Sequence, residues 1–193
     1  MTQSSAMDTD TFWQLIEKGR ADDASLDAAL AELLAAHGKD EILAFDVRMD
    51  QLDTAIDRWD VWAAAYLIGG GCSDDSFMDF KAGLIALGRT WYERVVRCPD
   101  ALAEHPDIHH ALATGVEEAV FYEEMGYVTA TAWARVTGDR DSFYPALEHY
   151  RAQHRADGEE LHDMGDDFDF DDAHEMRRRL PRLAALYLGE AQQ

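Results

Sequence analysis

The sequence is poor in cysteine and in basic residues, and each shortage narrows what the protein can be. Its 193 residues include only two cysteines, Cys72 and Cys98, which form no CxxC pair. We therefore expect no zinc knuckle and predict that both thiols are reduced. There are 17 Lys and Arg against 39 Asp and Glu, giving a net charge of −22. Because Lys and Arg bind phosphate backbones, this balance argues against nucleic acid or an anionic membrane as a direct partner.

Long apolar runs are also missing. No segment approaches the roughly 20 apolar residues that span a bilayer. The opening MTQSSAMDTDTF lacks a basic region followed by an apolar one, so it is not typical of a secretory signal. Together with the reduced thiols, these features predict a cytoplasmic protein.

Recognisable catalytic and metal-binding patterns are absent as well. The sequence contains no GxSxG, Walker or GxGxxG motif, and no evident nucleophile–base pair. His105 and His109 are four apart, but Pro106 places His105 before the helix that would align them. We therefore predict no catalytic residues, no metal and no cofactor. Whether the protein is an enzyme stays open, with a non-enzymatic role favoured.

The richest segment runs from residue 58 to 93 and predicts a helix, a turn and a second helix. Apolar positions stepping by three and four predict one long helix over 40–68. Gly69-Gly70-Gly71 should end it, because glycine adopts positive φ without steric cost. Ser73 is a suitable N-cap for the next helix, which is predicted over 74–97.

This central hairpin organises the predicted fold, which is all-α. No segment shows clean strand alternation, so we expect a single-domain irregular helical bundle of about seven helices over 1–193. Residues 1–7 are predicted to be a disordered leader, and 156–172 an acidic irregular segment. A helix is predicted over 106–125, and a final helix should kink or restart at Pro181.

Aromatic and charged residues flank the glycine turn and form the first candidate site. Aromatic faces beside carboxylates suit a cation such as a partner's Lys or Arg. Alternatively, both tryptophans belong to the core and the aspartates cap the helix. The candidate binding residues are Trp59, Trp62, Tyr66, Asp74, Asp75, Asp79 and Arg89.

An acidic stripe beside the apolar face of the long predicted helix forms the second candidate site. Its aspartates repeat by four and three, so they should share one helix face. Neighbouring negative charges repel each other, so this face needs compensation. Solvent or a basic partner would supply it, as would internal pairing with Arg48, Arg58, Arg89 or Arg94. The stripe comprises Asp46, Asp50, Asp53, Asp57 and Asp60, and the first three are the candidate docking residues.

Three stretches carry a resemblance to a known family. The segment WDVWAAAYLIGGGCSDDSF with the following LIALGR, the opening FWQLIEKGR and the closing DFDFDDAHEMRRRLPRLAALYL resemble the bacterial domain-of-unknown-function 4240 family. The resemblance covers most of the chain. It implies relatedness and brings no established activity.

Three functional hypotheses remain from the sequence. The first is a non-enzymatic interaction or regulatory module that binds a basic protein segment through its acidic faces. The second is an enzyme or small-molecule binder with a pocket at the Gly69–Gly71 turn. The third, and the weakest, is an acidic mimic of nucleic acid.

Overall fold

The computed structural model describes residues 7–154 and 162–189, and within these residues the chain is helical and has no strand. This confirms the all-α prediction, although the helices are shorter and more numerous than the seven expected. Two short 3-10 helices, Pro99–Glu104 and Glu123–Tyr127, join them. The α-helices are α1 (Thr9–Arg20), α2 (Leu26–His37), α3 (Lys39–Ala55), α4 (Trp59–Gly69), α5 (Asp74–Ala86), α6 (Arg89–Arg97), α7 (Pro106–Thr114), α8 (Val128–Thr137), α9 (Phe143–His154), α10 (Ala173–Arg179) and α11 (Pro181–Tyr187).

The chain groups into two compact units. Unit 1 consists of Met1–Thr54 and Glu124–Leu161, and unit 2 of Ala55–Glu123 and His162–Gln193. The predicted single-domain organisation stays a prediction. In unit 1, α1, α2 and α8 pack together, and the ring of Phe12 stacks on Phe45 with centroids 4.5 Å apart. Met7 is buried here, and its carbonyl accepts a hydrogen bond from Arg48 at 2.8 Å. Met7 is therefore held within unit 1, and residues 1–6 of the predicted leader lie outside the described residues.

The predicted helix over 40–68 is wrong, because the chain leaves helical geometry between Ala55 and Trp59. Arg58 is extended, with φ −139° and ψ 149°. Its guanidinium donates to the carbonyl of Val96 at 2.9 Å and pairs with Asp60 at 3.0 Å. The apolar periodicity continues across the break, since Ile56 is fully buried, and the sequence pattern therefore hides it.

The turn after α4 is confirmed. Gly70 is left-handed, with φ 65°, and Gly71 has φ 132°. The hydroxyl of Ser73 accepts from the backbone N–H of Ser76 at 3.1 Å and caps α5. The predicted helix over 74–97 is wrong, however, because it divides at Gly88. The φ of Gly88 is 86°, so this glycine separates α5 from α6.

The predicted helix over 106–125 is also wrong. Gly115 is left-handed, with φ 71°, and ends α7. The irregular loop 115–122 that follows packs against α5, where the N–H of Tyr122 donates to the carbonyl of Asp79 at 3.0 Å. Gly83 makes this approach possible, since a Cβ there would lie 1.5 Å from the carbonyl oxygen of Val120. Close packing at Gly83 is therefore against a loop.

The C-terminal part of unit 2 consists of an irregular segment and two short helices. Residues 162–172, which we name the acidic strap, contain six aspartates and form no helix or strand. The rest of the predicted irregular segment, up to residue 161, lies outside the described residues. The chain restarts its last helix at Pro181, as predicted. The buried carboxylate of Asp100 accepts from the backbone N–H groups of Arg182 and Leu183 at 2.9–3.1 Å, which fixes the start of α11.

Candidate functional site

The aromatic residues predicted on α4 form a continuous stack. The rings of Trp59 and Trp62 are parallel within 6°, with centroids 5.4 Å apart. Trp62 stacks in turn on Phe77 of α5 at 4.7 Å, and its indole N–H donates to the carbonyl of Cys72 at 3.1 Å. The spacing of three residues on α4 places both tryptophans on one face, where Trp62 packs against α5. The two tryptophans are therefore half-buried packing residues.

The acidic strap covers this aromatic face. Phe170 contacts the rings of Trp59, Trp62 and Tyr66, with centroid distances of 6.1, 6.4 and 5.5 Å. The backbone N–H of Trp59 donates to the carbonyl of Met164 at 3.0 Å. The surface expected to receive a partner's cation is thus occupied by a segment of the same chain.

The start of the strap is held by charged and polar contacts. Asp57 pairs at 3.0 Å with Lys81, a buried lysine that is 6% exposed. The ammonium of Lys81 also lies 5.1 Å from the ring centre of Phe77. The ring of His162 contacts the carbonyl of Asp57 and lies 3.7 Å from its carboxylate. Asp57 therefore joins the strap to α5.

A cleft of about 610 Å³ opens where the strap passes the C-terminal end of α4. We name it the acidic cleft. Tyr66, Gly69 and Gly70 form one wall, and Phe170 and Asp171 of the strap form another. Residues from α7 to Glu117, the first residue of α10 and the end of α11 complete the lining. Its volume lies in the range of small-ligand sites, roughly 300–1,000 Å³.

Three helices end at the acidic cleft. The C-caps of α4, α7 and α11 are Gly70, Gly115 and Leu188, and all three line it. A helix C-terminus carries partial negative charge on its last carbonyls, and a cation nearby is stabilised by about 0.3–1 kcal/mol. These three helices have no basic residue in their last turns. The charged side chains among the described lining residues, Glu117 and Asp171, are both acidic.

A hydrogen bond fixes one of these acids. The hydroxyl of Tyr66 donates to the carboxylate of Asp171 at 2.5 Å. This bond, with smaller contributions from burial and from the charge of Asp171, raises the pKa of Tyr66 above its usual value. Tyr66 therefore stays protonated at neutral pH and leaves the negative charge on Asp171. Leu112 and Val116, both exposed, add an apolar rim. The cleft combines aromatic, aliphatic and anionic groups, which suit a cation on an apolar stem.

Comparison with known proteins gives a family. A family model described as "Protein of unknown function (DUF4240)" matches residues 7–135, about two thirds of the chain. The chain belongs to this family. Searches of curated proteins and of solved structures gave no match. The DUF4240 match includes α4 and α7 of the acidic cleft, whereas the strap and α11 lie beyond its end.

The remaining residues of the first candidate site do not line the acidic cleft. Asp74 and Asp75 are exposed in the first turn of α5, as an N-terminal position favours. Asp79 is half-buried beside the loop 115–122. Arg89 is exposed and pairs with Glu93 on its own helix at 2.7 Å. The structure joins Tyr66 with Asp171 in the cleft instead.

The acidic stripe is not continuous, because α3 ends before Asp57. In unit 1, Asp46 accepts from the hydroxyl of Thr129 at 2.8 Å and lies 3.3 Å from Arg151. Burial raises the pKa of Asp46, against the opposing effect of these two partners. Asp46 is therefore mostly buried and paired within unit 1. Asp50 is exposed and lies 3.5 Å from Arg151, and Asp53 is half-buried.

Both cysteines are free thiols, as predicted. Burial raises the pKa of Cys72 to about 11, which disfavours the thiolate at neutral pH. Cys72 is therefore a poor nucleophile despite its place before α5. Cys98 is exposed, with its sulfur 3.7 Å from the guanidinium of Arg182. No helix in the described part of the chain is both long and apolar enough to cross a membrane.

Sequence reasoning missed the strap and the loop as parts of the site. The alternation Asp-Phe-Asp-Phe at 167–170 was a usable signal, because acidic and aromatic residues alternate where one side of an extended segment is covered. The predicted helix over 106–125 would contain Glu117, whereas the stop at Gly115 places it in the loop. Nothing local marks Asp100 as the cap of α11, because the two lie 82 residues apart.

Proposed function

We propose that the protein is a non-enzymatic interaction module whose acidic cleft binds a basic segment of a partner protein. The observation that carries this proposal is the convergence of α4, α7 and α11, each with its C-terminus at the cleft and no basic residue in its last turn. Glu117 and Asp171 add two carboxylates. A basic side chain from outside would supply the positive charge that these helix ends favour.

The apolar rim of the cleft indicates which residues should flank that basic side chain in the partner. Leu112, Val116 and Leu188 are exposed large apolar residues that line the same cleft. A Lys or Arg stem would lie along them, and a leucine beside it would bury further apolar area. In the proposed partner segment, basic residues therefore alternate with apolar residues. The net charge of −22 adds long-range attraction that salt should screen.

Calorimetric titration with two peptides of equal charge tests this proposal. One peptide alternates lysine with leucine and the other alternates lysine with glycine. We expect the lysine–leucine peptide to bind more tightly to the wild-type protein and to weaken as salt is raised. Glu117→Gln should weaken its binding by about two- to fivefold, the effect of removing one exposed charge. Glu32→Gln removes an exposed charge from α2 and serves as the matched control.

The outcomes separate specific from general attraction. Equal losses for Glu117→Gln and Glu32→Gln would show that net charge alone attracts the peptide, and the cleft would lose its role. No binding of either peptide at low salt would contradict the proposal.

The volume of the cleft favours a second function, the binding of a small organic cation. At about 610 Å³ the cleft has the size of small-ligand sites, and Gly69 and Gly70 of the glycine turn line it. Tighter binding of hexylamine than of the lysine–leucine peptide, lost in Glu117→Gln, would favour this function over a protein partner. We also propose a cytoplasmic location, because both cysteines are free thiols.

A further inference from the structure

The acidic strap supplies part of the cleft that it borders. Phe170 and Asp171 belong to the strap and also line the cleft. If the strap leaves α4, the cleft loses one aromatic wall and one of its two described carboxylates. The complete site therefore exists only in molecules whose strap is docked.

The docked strap is held by a limited number of contacts. Residues 162–172 form no helix or strand, and Phe168 and Phe170 are half-buried. All six aspartates are exposed at close spacing, so their mutual repulsion opposes a fixed conformation. A segment with few buried apolar contacts opens at a lower free energy than the core.

Phe168 stands out among these contacts because it does not line the cleft. Its ring meets Phe170 edge-on, with centroids 5.2 Å apart. On its other side the guanidinium of Arg179 lies 4.2 Å from the ring centre, and Arg179 pairs with Glu175 at 3.2 Å. Phe168 thus joins α10 to the wall of the cleft.

We infer that Phe168 is a positioning residue for the acidic cleft, and that docking of the strap and binding of a basic segment are thermodynamically linked. The inference rests on the proposed function. A ligand that binds only the docked form must stabilise docking. Loss of docking must in turn lower the affinity for that ligand, because the coupling free energy is reciprocal. A variant with a docked fraction of about one tenth would bind about tenfold more weakly.

The backbone amide of Trp59 gives a readout of docking without any ligand. Its N–H donates to the carbonyl of Met164 in the strap at 3.0 Å, so undocking exposes it to solvent exchange. We expect the lysine–leucine peptide to slow hydrogen exchange at Trp59 in the wild-type protein. This measurement needs no substitution, and an unchanged exchange rate at saturating peptide would overturn the linkage.

The matched variants are Phe168→Ala, Phe168→Tyr and Tyr144→Ala. Phe168→Ala should speed exchange at Trp59 in proportion to its undocked fraction and raise the Kd of the peptide by the reciprocal of its docked fraction. Phe168→Tyr should leave both close to the wild-type values. Tyr144→Ala removes an exposed ring from α9 in unit 1 and should change neither.

The failures of the two proposals are distinguishable. If exchange at Trp59 shows that Phe168→Ala is docked in about half of the molecules or fewer, and the peptide still binds this variant as tightly as the wild type, the linkage is overturned and the proposed function stands. If the peptide fails to bind the wild type, both are contradicted.

Discussion

Gly83 shows most clearly what one residue contributes to this fold. An added Cβ would lie 1.5 Å from the carbonyl oxygen of Val120, a separation that no real contact reaches. We predict that Gly83→Ala lowers the free energy of unfolding by more than about 2 kcal/mol, because the loop 115–122 must move. Gly126→Ala is the control, since its Cβ would meet open space. Denaturant unfolding measures both, and equal stability of the two variants would show that the loop does not pack as described.

The thiol of Cys72 gives a residue-scale prediction with a pH dependence. With its pKa raised to about 11, only about one molecule in a thousand carries the thiolate at pH 8. We expect iodoacetamide to modify the exposed Cys98 first, and the rate at Cys72 to rise about tenfold per pH unit below its pKa. Mass spectrometry of the alkylated peptides follows both sites. Faster modification of Cys72 than of Cys98 at neutral pH would contradict its burial.

At the scale of the element, the glycine turn determines where α4 ends. Gly70 and Gly71 have positive φ, and open space surrounds both positions. Valine at either position should therefore destabilise the protein by more than about 1 kcal/mol through backbone strain alone. Gly70→Asn should cost less, since asparagine tolerates the left-handed region. Thermal melting compares the variants, and unchanged melting temperatures for both valine variants would refute this end of α4.

The burial of Asp46 between α3 and α8 predicts how stability changes with pH. Its folded-state pKa lies above the ordinary value of 3.8, so the folded protein holds this proton more tightly than the unfolded chain. The charged form therefore costs stability above the folded pKa, and this cost disappears as the pH falls below 3.8.

Asp46→Asn removes that cost and keeps an acceptor for Thr129. We expect the free energy of unfolding of this variant, relative to wild type, to increase from acidic to neutral pH. Asp50→Asn is the control on the same helix, with an expected change within about 0.5 kcal/mol. A relative stability of Asp46→Asn that falls toward neutral pH would show that Arg151 outweighs burial.

These elements also show how far the sequence could predict the structure. The turn at Gly69–Gly71, the Ser73 cap and the restart at Pro181 follow from local chemistry, and all three are present. The break at Arg58 depends on distant partners, Val96 and Met164, which no local pattern reveals. The aromatic residues of α4 were found, but their covering by the strap requires contacts across about 100 residues.

At the scale of the whole molecule, the excess of 22 negative charges sets a background attraction for any cation. Such attraction is long-ranged and screened by salt, so it does not by itself define a site. The acidic cleft differs from this background because helix ends, carboxylates and apolar groups meet within one volume of about 610 Å³. We therefore propose that a basic segment binds at the acidic cleft and not at the acidic surface in general.

Amide chemical shifts, measured by nuclear magnetic resonance during titration with the lysine–leucine peptide, show directly where the peptide binds. We expect the largest shifts within residues 66–70, 111–117, 170–173 and 187–188, the segments that contain the lining residues of the cleft. We also expect that shifts at Glu32 and Asp50, exposed acids of unit 1, stay small. Shifts spread evenly over the exposed acids, or concentrated around Asp46 and Asp50, would contradict the assignment of the cleft.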